Sequence, residues 1–266
     1  MLPSKFNFYG QGGSGKTTLA VSSMVDIYSG EKKRNGIWMQ IGQESNPSLP
    51  VPEANIKKFV PDLANPHAVV KELFDFLKAL RVSAGKGKSP DVLVFDGFTE
   101  MDILLGYIYD IQPLEDDKWG EWRYRKNVFR ELVQLLDASA LGCHVLSTAR
   151  VAEIRKGVPN KRTGEVIGAD PEFVTSRYFP QMDGWMRYNL PSYANYVFYL
   201  ETEDGKEGPL HRCHLLQTGD FFIKNTNDHK WPMLKLPKYL DNGTFDQMVD
   251  VVEYANRPIV KNEESE

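Results

Sequence analysis

The sequence is poor in cysteine and has no excess of positive charge. Only two of its 266 residues are cysteines, Cys143 and Cys213, and each lies in an apolar run. This pattern excludes a disulfide framework and a cysteine zinc site, and it is typical of a reducing cytoplasm. The chain has 32 Lys and Arg against 36 Asp and Glu, for a net charge of −4. A wholly basic nucleic-acid surface is therefore excluded, and any such surface must be a local stripe.

Long apolar runs are also missing. No stretch approaches the roughly 18 consecutive apolar residues that a membrane-spanning helix needs, so we expect no membrane partner. The opening stretch, MLPSKFNFYG, lacks the apolar core of a signal peptide, and we expect no leader there. The proportions of 41% hydrophobic and 26% charged residues are those of an ordinary globular protein.

Up to Arg150, short apolar runs alternate with longer amphipathic runs. Strands are predicted over Lys5–Tyr9, Ile37–Ile41, Ile56–Val60, Asp91–Phe95 and His144–Thr148. Helices are predicted over Thr17–Tyr28, Pro66–Leu80, Met101–Ile111 and Trp119–Ser139. This alternation predicts an α/β fold with a mainly parallel sheet that has helices on both faces.

After Arg150 the pattern changes. A loop or exposed hairpin is predicted over Ile154–Asp170, and strand-like segments follow at Tyr196–Glu201, Leu210–Leu216 and Asp220–Lys224. These strands predict an antiparallel extension at one edge of the sheet, followed by a C-terminal helix over Phe245–Asn256. We interpret residues 1–257 as a single domain and residues 258–266 as a disordered acidic tail.

A glycine-rich motif joins the first predicted strand to the first predicted helix. The stretch GQGGSGKTT matches G-x-x-x-x-G-K-[ST], and it lies between a strand and a helix as that pattern requires. The glycines let backbone N–H groups turn toward a phosphate, and the helix N-terminus adds partial positive charge. Lys16 is expected to reach the β- and γ-phosphates of ATP, and Thr17 to bind Mg²⁺. The predicted nucleotide-binding residues are Gly10, Gly12, Gly13, Ser14, Gly15, Lys16, Thr17 and Thr18.

A second motif ends the fourth predicted strand. In DVLVFD an apolar run ends in Asp96, at the carboxyl edge of the expected parallel sheet, where ligands bind in open α/β folds. Asp96 is therefore predicted to hold Mg²⁺, directly or through water. The alternative is that Asp96 caps the next helix, although Thr99 is better placed for that role.

Hydrolysis also needs a group that orients the attacking water. Glu44 follows the second predicted strand by a few residues, so we expect it at the same sheet edge. Glu100 is the other candidate, but as a first-turn acid it also has a structural explanation, since it favours the helix dipole. We prefer Glu44 as the catalytic base.

The predicted strand in HVLSTAR ends in polar residues at the same edge. Thr148 or Ser147 is a candidate sensor of the γ-phosphate, and Arg150 could relay that signal to a neighbouring molecule. The alternative is a strand end that simply meets water.

Taken together, these motifs resemble the phage-encoded RecA-like P-loop ATPases of the single-strand annealing and recombination group, often filed as AAA-type domains. The resemblance covers most of Phe6–Pro237, and it rests on GQGGSGKTTLA, Glu44, DVLVFDGFTE and HVLSTAR, with RYFPQMDGWMRYNLPSYANYVFYL and FFIKNTNDHKWP similar to the group's tail. Only the first motif is specific enough to stand alone. The resemblance implies a RecA-like fold and an Mg²⁺-dependent ATPase. Such an enzyme acts on single-stranded DNA in phage recombination or replication, in the cytoplasm of an infected bacterium.

The resemblance also implies an oligomer. RecA-like relatives often carry K-x-R or K-x-K on a late strand, and this pair reaches the γ-phosphate of a neighbouring subunit. Here Lys224 matches the first cation, but Thr226 replaces the second. If Lys224 acts in this way, the active enzyme is a homo-oligomer, and a single-strand-binding protein is a further expected partner. The relatives commonly place glutamine where this chain has Thr148.

Two basic segments are candidates for DNA contact. The resemblance implies such a role for the loop after Arg150, which carries Arg155, Lys156, Lys161 and Arg162. The predicted helix around Trp119–Arg130 interleaves aromatic and basic residues, which could stack on bases and contact phosphates. Core packing and a solvated charged face are the alternatives for this helix.

Two other functions fit the same motifs. A nucleotide-gated assembly or adaptor protein would bind ATP, hydrolyse little of it and leave DNA unbound, and the missing second cation at Thr226 favours it. A small-molecule kinase would need an arginine-rich lid, for which Arg155–Arg162 is the one candidate segment.

Overall fold

The computed structural model describes residues 2–42, 51–114, 119–155, 176–182, 184–206, 208–217 and 221–257. Its strands are β1 (Lys5–Gly10), β2 (Gly36–Ile41), β3 (Ile56–Phe59), β4 (Val92–Asp96), β5 (His144–Arg155), β6 (Ser176–Pro180), β7 (Tyr196–Gly205), β8 (Gly208–His214), β9 (Lys224–Asn225) and β10 (Tyr239–Asp241). Its helices are α1 (Lys16–Val21), α2 (Ala68–Ala84), α3 (Phe98–Ile111), α4 (Gly120–Leu135), α5 (Ala138–Leu141), α6 (Gly184–Tyr193), α7 (Trp231–Leu234) and α8 (Phe245–Asn256).

The strands form one sheet in the order β10-β8-β7-β1-β5-β4-β2-β3. From β7 to β3 every neighbouring pair is parallel, whereas β8 and β10 are antiparallel to their neighbours. Strand β6 pairs with the far half of β5, and β9 pairs with the start of β7, both antiparallel. The predicted architecture is confirmed: an α/β fold whose sheet is mainly parallel, with a C-terminal antiparallel extension.

Helices cover both faces of the sheet because side chains alternate along the strands. On one face Phe6 of β1 packs edge-on against Phe245 of α8, with ring centroids 5.4 Å apart. On the other face Asn7 donates a hydrogen bond to Ser147 of β5 at 3.0 Å. Helices α3, α4 and α6 lie over that second face, where Phe98, Val133 and Leu190 surround a small cavity together with Ser147. Full burial of an aromatic ring such as Phe6 contributes about 1.5–3 kcal/mol.

Helix α1 is shorter than predicted. The expected helix over Thr17–Tyr28 ends at Val21. The hydroxyls of Ser22 and Ser23 donate to backbone carbonyls three residues earlier, at 2.7 and 2.5 Å. Such local hydrogen bonds compete with continuation of the helix, and the chain turns away before β2.

Most other predicted elements are present with shifted ends, and the helix over Phe245–Asn256 has the predicted bounds. Four elements were not predicted: β6, α6, α7 and β10. Of the predicted loop over Ile154–Asp170, the first two residues belong to β5 and the rest lies outside the described residues. Of the predicted strand Asp220–Lys224, Asp220 lies outside the described residues, and among residues 221–224 only Lys224 belongs to a strand, β9. Across the described ranges, no helix has the length and apolar character needed to cross a membrane.

Candidate functional site

The glycine-rich loop lies between β1 and α1, at the carboxyl edge of the parallel strands, as its sequence context predicts. Gly15 caps α1 with a φ of 85°, in the left-handed region that side chains disfavour. Gly10 pairs with Leu200 of β7, and a Cβ on Gly10 would lie 2.0 Å from the Leu200 carbonyl oxygen. Gly12 has a negative φ, and a Cβ there would meet no atom of the described residues within 4 Å. Neither a left-handed backbone nor a close contact therefore requires glycine at this position.

The ammonium group of Lys16 is held by oxygens of the loop itself. Lys16 Nζ donates to the carbonyl oxygens of Gly10 at 3.0 Å and Gln11 at 2.6 Å. It also lies 3.3 Å from the hydroxyl of Ser14, a buried residue. The charge of Lys16 is therefore concentrated at the loop, where this motif binds phosphate.

The strand register brings Asp96 and Thr148 to the same level. Strands β4 and β5 run in parallel with Phe95 opposite Ser147, so the next residue of each strand lies beside the other. Thr148 Oγ1 donates to Asp96 Oδ1 at 2.6 Å and accepts the N–H of Gly97 at 3.1 Å. On its other side β5 pairs with β1, where Thr148 lies opposite Phe8, two residues before the loop. Three adjacent strands therefore bring the loop, Thr148 and Asp96 to one edge.

The expectation that Thr99 caps the following helix is wrong. Helix α3 is capped by Gly97, and no side chain forms a capping hydrogen bond there, which also removes the capping alternative for Asp96. Thr99 lies inside the first turn of α3, where its hydroxyl donates to the carbonyl of Gln181 at 2.8 Å. The same hydroxyl accepts the N–H of Arg150 at 2.9 Å, so Thr99 connects α3 to β5.

The two candidate bases differ in their surroundings. Glu100 lies in the first turn of α3, and its carboxylate accepts a hydrogen bond from Arg150 Nε at 2.8 Å. Its side chain is 13% exposed, whereas that of Arg150 is 52% exposed. Glu44 lies outside the described residues, three positions after the end of β2 at Ile41. The ion pair and the helix dipole together give Glu100 a structural role.

The donor chemistry of the site fits Mg²⁺ bound together with a nucleotide. Thr17 and Asp96 offer hydroxyl and carboxylate oxygens, the hard ligands that Mg²⁺ prefers. Within the described ranges, no cluster of three or more His, Cys, Asp or Glu could hold a metal ion. Mg²⁺ is commonly bound by one or two protein groups plus phosphate oxygens, and these two residues are such a set.

Lys224 lies toward the opposite edge of the sheet from Lys16. It pairs with Val197 near the start of β7, and its ammonium donates to the carbonyl of Ala194 at 2.5 Å. Burial, and then the neighbouring charge of Lys5, lower the pKa of Lys224. Its position is away from the loop of its own chain, and a role at the loop of a neighbouring molecule stays a prediction.

The basic segments are only partly described. Arg155 is the last residue of β5 and pairs with Ser176, whereas Lys156, Lys161 and Arg162 lie outside the described residues. In α4, Arg125 forms ion pairs with Asp102 at 2.6 Å and Glu121 at 2.9 Å, so it connects α4 to α3. The Lys126 ammonium lies 4.6 Å from the ring centre of Trp122, which is partly exposed. DNA contact by either segment stays a prediction.

Strands β7 and β8 support the glycine-rich loop through side-chain contacts that the sequence did not predict. Thr202 Oγ1 of β7 donates to the carbonyl of Gly13 at 3.1 Å and lies 3.2 Å from His211 Nδ1 of β8. A Cβ on Gly15 would lie 3.1 Å from the His211 side chain. Asn242 holds His211 in turn, because each residue accepts the backbone N–H of the other, at 2.9 and 2.7 Å. No local motif marks Thr202 and His211, since their contacts with the loop join segments almost 200 positions apart.

Comparison with known proteins finds similarity to solved structures only. No family model matches the chain, and no curated protein matches it. Among solved structures, it is similar to a KaiC-like protein from the hyperthermophilic archaeon Pyrococcus horikoshii OT3, with a TM-score of 0.42 and 15% identity. That match covers 82% of this chain and 80% of the archaeal chain. A likeness of this size says nothing about activity.

Proposed function

We propose that the protein binds ATP with Mg²⁺ at the glycine-rich loop and hydrolyses it. The placement of the glycine-rich loop, Thr148 and Asp96 at the ends of three adjacent strands, β1, β5 and β4, carries this proposal. Lys16 would place its charge on the γ-phosphate, and Thr17 and Asp96 would hold Mg²⁺. When bound, Mg²⁺ neutralises charge on the β- and γ-phosphate oxygens.

Thr148 orients the carboxylate of Asp96. Because the Thr148 oxygen accepts the N–H of Gly97, its own hydrogen points to Asp96 Oδ1. This arrangement fixes the direction of a metal-binding carboxylate, as outer partners of metal ligands commonly do. Thr148 would also sense the γ-phosphate, and Glu44 would orient the attacking water.

We further propose action on single-stranded DNA. Strand β5 continues beyond the nucleotide edge to Arg155 and pairs with β6, and in the sequence Lys156, Lys161 and Arg162 follow directly after it. A basic segment that follows a strand of the nucleotide site is suitable for phosphate contact whose strength depends on nucleotide state. With the resemblance described above, this supports a phage recombination or replication ATPase in the host cytoplasm. It would work as a homo-oligomer alongside a single-strand-binding protein.

A nucleotide-gated assembly or adaptor protein is the second candidate. Two observations favour it: Thr226 stands where a second cation would act, and the Lys224 ammonium donates to a carbonyl of its own chain, that of Ala194. In this function ATP would order an interface, with little hydrolysis and no DNA binding.

The deciding experiment measures ATP binding and turnover at low salt, with and without single-stranded DNA, beside a Lys16→Ala control. DNA-stimulated turnover that disappears in Lys16→Ala supports the recombination ATPase. Tight ATP binding with slow turnover that DNA leaves unchanged favours the adaptor. A chain that binds no ATP, or whose Lys16→Ala variant binds and hydrolyses ATP normally, overturns both.

A further inference from the structure

A cavity of about 150 Å³ opens beside the glycine-rich loop. Gly15 and Thr18 form its loop side, and it is bounded beyond them by residues of β7, β8 and the turn before α8. Strand β1 lies between this cavity and the Asp96–Thr148 pair, since the sheet order is β8-β7-β1-β5-β4. The cavity and the magnesium ligand Asp96 therefore lie on opposite sides of the loop.

This position defines which part of a nucleotide the cavity would meet. If Asp96 and Thr148 face the γ-phosphate, the phosphate chain runs along the loop toward Thr18. The nucleoside then leaves the loop on the side of β7 and β8, where the cavity is. The inference rests on the proposed function, because it assumes that the γ-phosphate of a bound nucleotide faces Asp96 and Thr148.

The cavity has an apolar floor, to which Leu19, Ile27, Leu200 and Cys213 contribute. A dry apolar cavity of about this volume accepts one aromatic ring. Burial raises the pKa of the Cys213 thiol, so it stays a neutral apolar surface. A flat, uncharged heterocycle suits such a floor.

An exposed tyrosine stands at the mouth of the cavity. Tyr28 is 86% exposed although it lines the cavity, so most of its ring surface is open to solvent. The turn that carries it is well defined, because the Asp26 carboxylate accepts the N–H groups of Tyr28 and Ser29 at 3.0 and 2.9 Å. These bonds, from Ser29 and then Tyr28, lower the pKa of Asp26, so the carboxylate that accepts them is ionised at neutral pH. An aromatic ring on a fixed turn is suited to stacking on a base.

Asn242 supplies a directional polar group at the same cavity. Its side-chain oxygen accepts the backbone N–H of His211 at 2.9 Å, and a backbone N–H can only donate, so the orientation of the amide is fixed. Asn242 therefore offers its Nδ2 hydrogens to a ligand. Its φ of 46° also makes glycine the substitution that best preserves the backbone at this position.

We propose that this cavity binds the base of a purine nucleoside triphosphate, with Tyr28 stacked on the base and Asn242 Nδ2 donating to a ring acceptor. One ring of the purine fills the apolar floor, and the other reaches the mouth under Tyr28. A pyrimidine on the same floor leaves Tyr28 uncovered, so purine nucleotides bind more tightly.

The test compares nucleotides with inorganic tripolyphosphate, which offers the loop the same phosphate chain without a base. Calorimetric titration with Mg²⁺ present measures Kd for ATP, GTP, UTP and tripolyphosphate on the full chain. Tyr28→Ala is the main variant, Tyr28→Trp restores a stacking ring, and Asn242→Gly removes the amide. Tyr254→Ala is the matched control, since Tyr254 is another exposed tyrosine and lies outside the cavity lining.

We expect Tyr28→Ala to raise the Kd for ATP and GTP by about tenfold, the effect of losing one stacked base, while the tripolyphosphate Kd stays unchanged. Tyr28→Trp and Tyr254→Ala should bind ATP as the wild type does, and Asn242→Gly should bind it more weakly. Wild-type tripolyphosphate binding as tight as that of ATP, equal binding of UTP, or unchanged ATP binding in Tyr28→Ala overturns the purine site and leaves the P-loop function standing. A wild-type chain that binds neither ATP nor tripolyphosphate overturns both.

Discussion

The hydroxyl of Thr148 donates to the carboxylate of Asp96 across 2.6 Å, from one strand to the next. Two motifs that are 52 positions apart in the sequence thereby become one unit at the edge of the sheet. The bond exists because β5 lies between the loop strand β1 and the Asp96 strand β4. Any change in the position of Thr148 is passed to the proposed magnesium ligand.

The first prediction concerns this bond. Thr148→Val keeps the shape of the side chain and removes the hydroxyl, so Asp96 loses its fixed direction. Turnover should fall about 10- to 100-fold, as for other outer partners of metal ligands, and more Mg²⁺ should be needed for half-maximal rate. Thr148→Ser should restore both values. A magnesium titration of ATP turnover measures them, and an unchanged magnesium requirement in Thr148→Val would contradict the positioning role.

The second prediction separates the two candidate bases. Glu44→Gln should reduce turnover on the order of 10²-fold or more while ATP binding stays intact, as loss of a general base does. Glu100→Gln weakens an ion pair with Arg150, whose side chain is half exposed, so the pair is worth about 1 kcal/mol or less and turnover should change little. Single-turnover assays on both variants give the comparison. The reverse order of the two effects would make Glu100 the base.

The third prediction tests whether Lys224 acts on a neighbouring molecule. Lys224→Ala should be nearly inactive, as should Lys16→Ala. A mixture of the two should regain activity, because a Lys16→Ala subunit can present Lys224 to the intact loop of its neighbour. ATP turnover of the mixture against each variant alone measures this recovery. Full activity of Lys224→Ala by itself would remove the cross-subunit role.

The fourth prediction concerns the attachment of α8. Partial burial acts to raise the pKa of Asp246, but hydrogen bonds and charge from Arg34 and Lys33 outweigh it and hold that pKa below its ordinary value. Because the folded state lowers the pKa, the carboxylate stabilises the fold at pH values above its unfolded pKa, and this contribution is lost as the pH falls through the folded pKa.

Asp246→Asn should therefore lower the free energy of unfolding at pH 7, by about 1 kcal/mol or less, since a third of the side chain is exposed. The difference from the wild type should shrink as the pH approaches 3. Urea unfolding over this pH range checks the prediction, with Asp250→Asn, an exposed residue of the same helix, as the control. A difference that stays constant with pH would show that the effect has another origin.

The sequence was sufficient to predict the parallel core and the position of the glycine-rich loop between the first strand and the first helix. The spacing of apolar residues and the glycine-rich motif involve residues that are close together in the sequence, so both can be recognised without the structure. The length of α1 could not be predicted, since it depends on whether Ser22 and Ser23 bond back to the backbone or point to solvent. A helix-forming pattern is compatible with either arrangement.

The site was predictable in its parts but not in its assembly. Asp96 and Thr148 could each be selected as polar residues at strand ends, yet their contact follows from strand order, which alternation of strands and helices leaves open. The contact of Thr202 with Gly13 depends on a pairing between distant segments and has no local signal at all. Glu44 lies outside the described residues, so its role rests on the sequence alone.

The contacts of Thr202, His211 and Asn242 with the loop have a consequence for how the protein is made. The loop leaves the ribosome before the hairpin that supports it, because that hairpin and the turn behind it are synthesised about 190 to 230 positions later. A contact at the end of α1 also forms late, because the hydroxyl of Ser22 accepts the N–H of Phe245, which is synthesised 223 positions later. During translation the glycine-rich loop therefore lacks these supporting contacts until the segment that carries Asn242 has emerged.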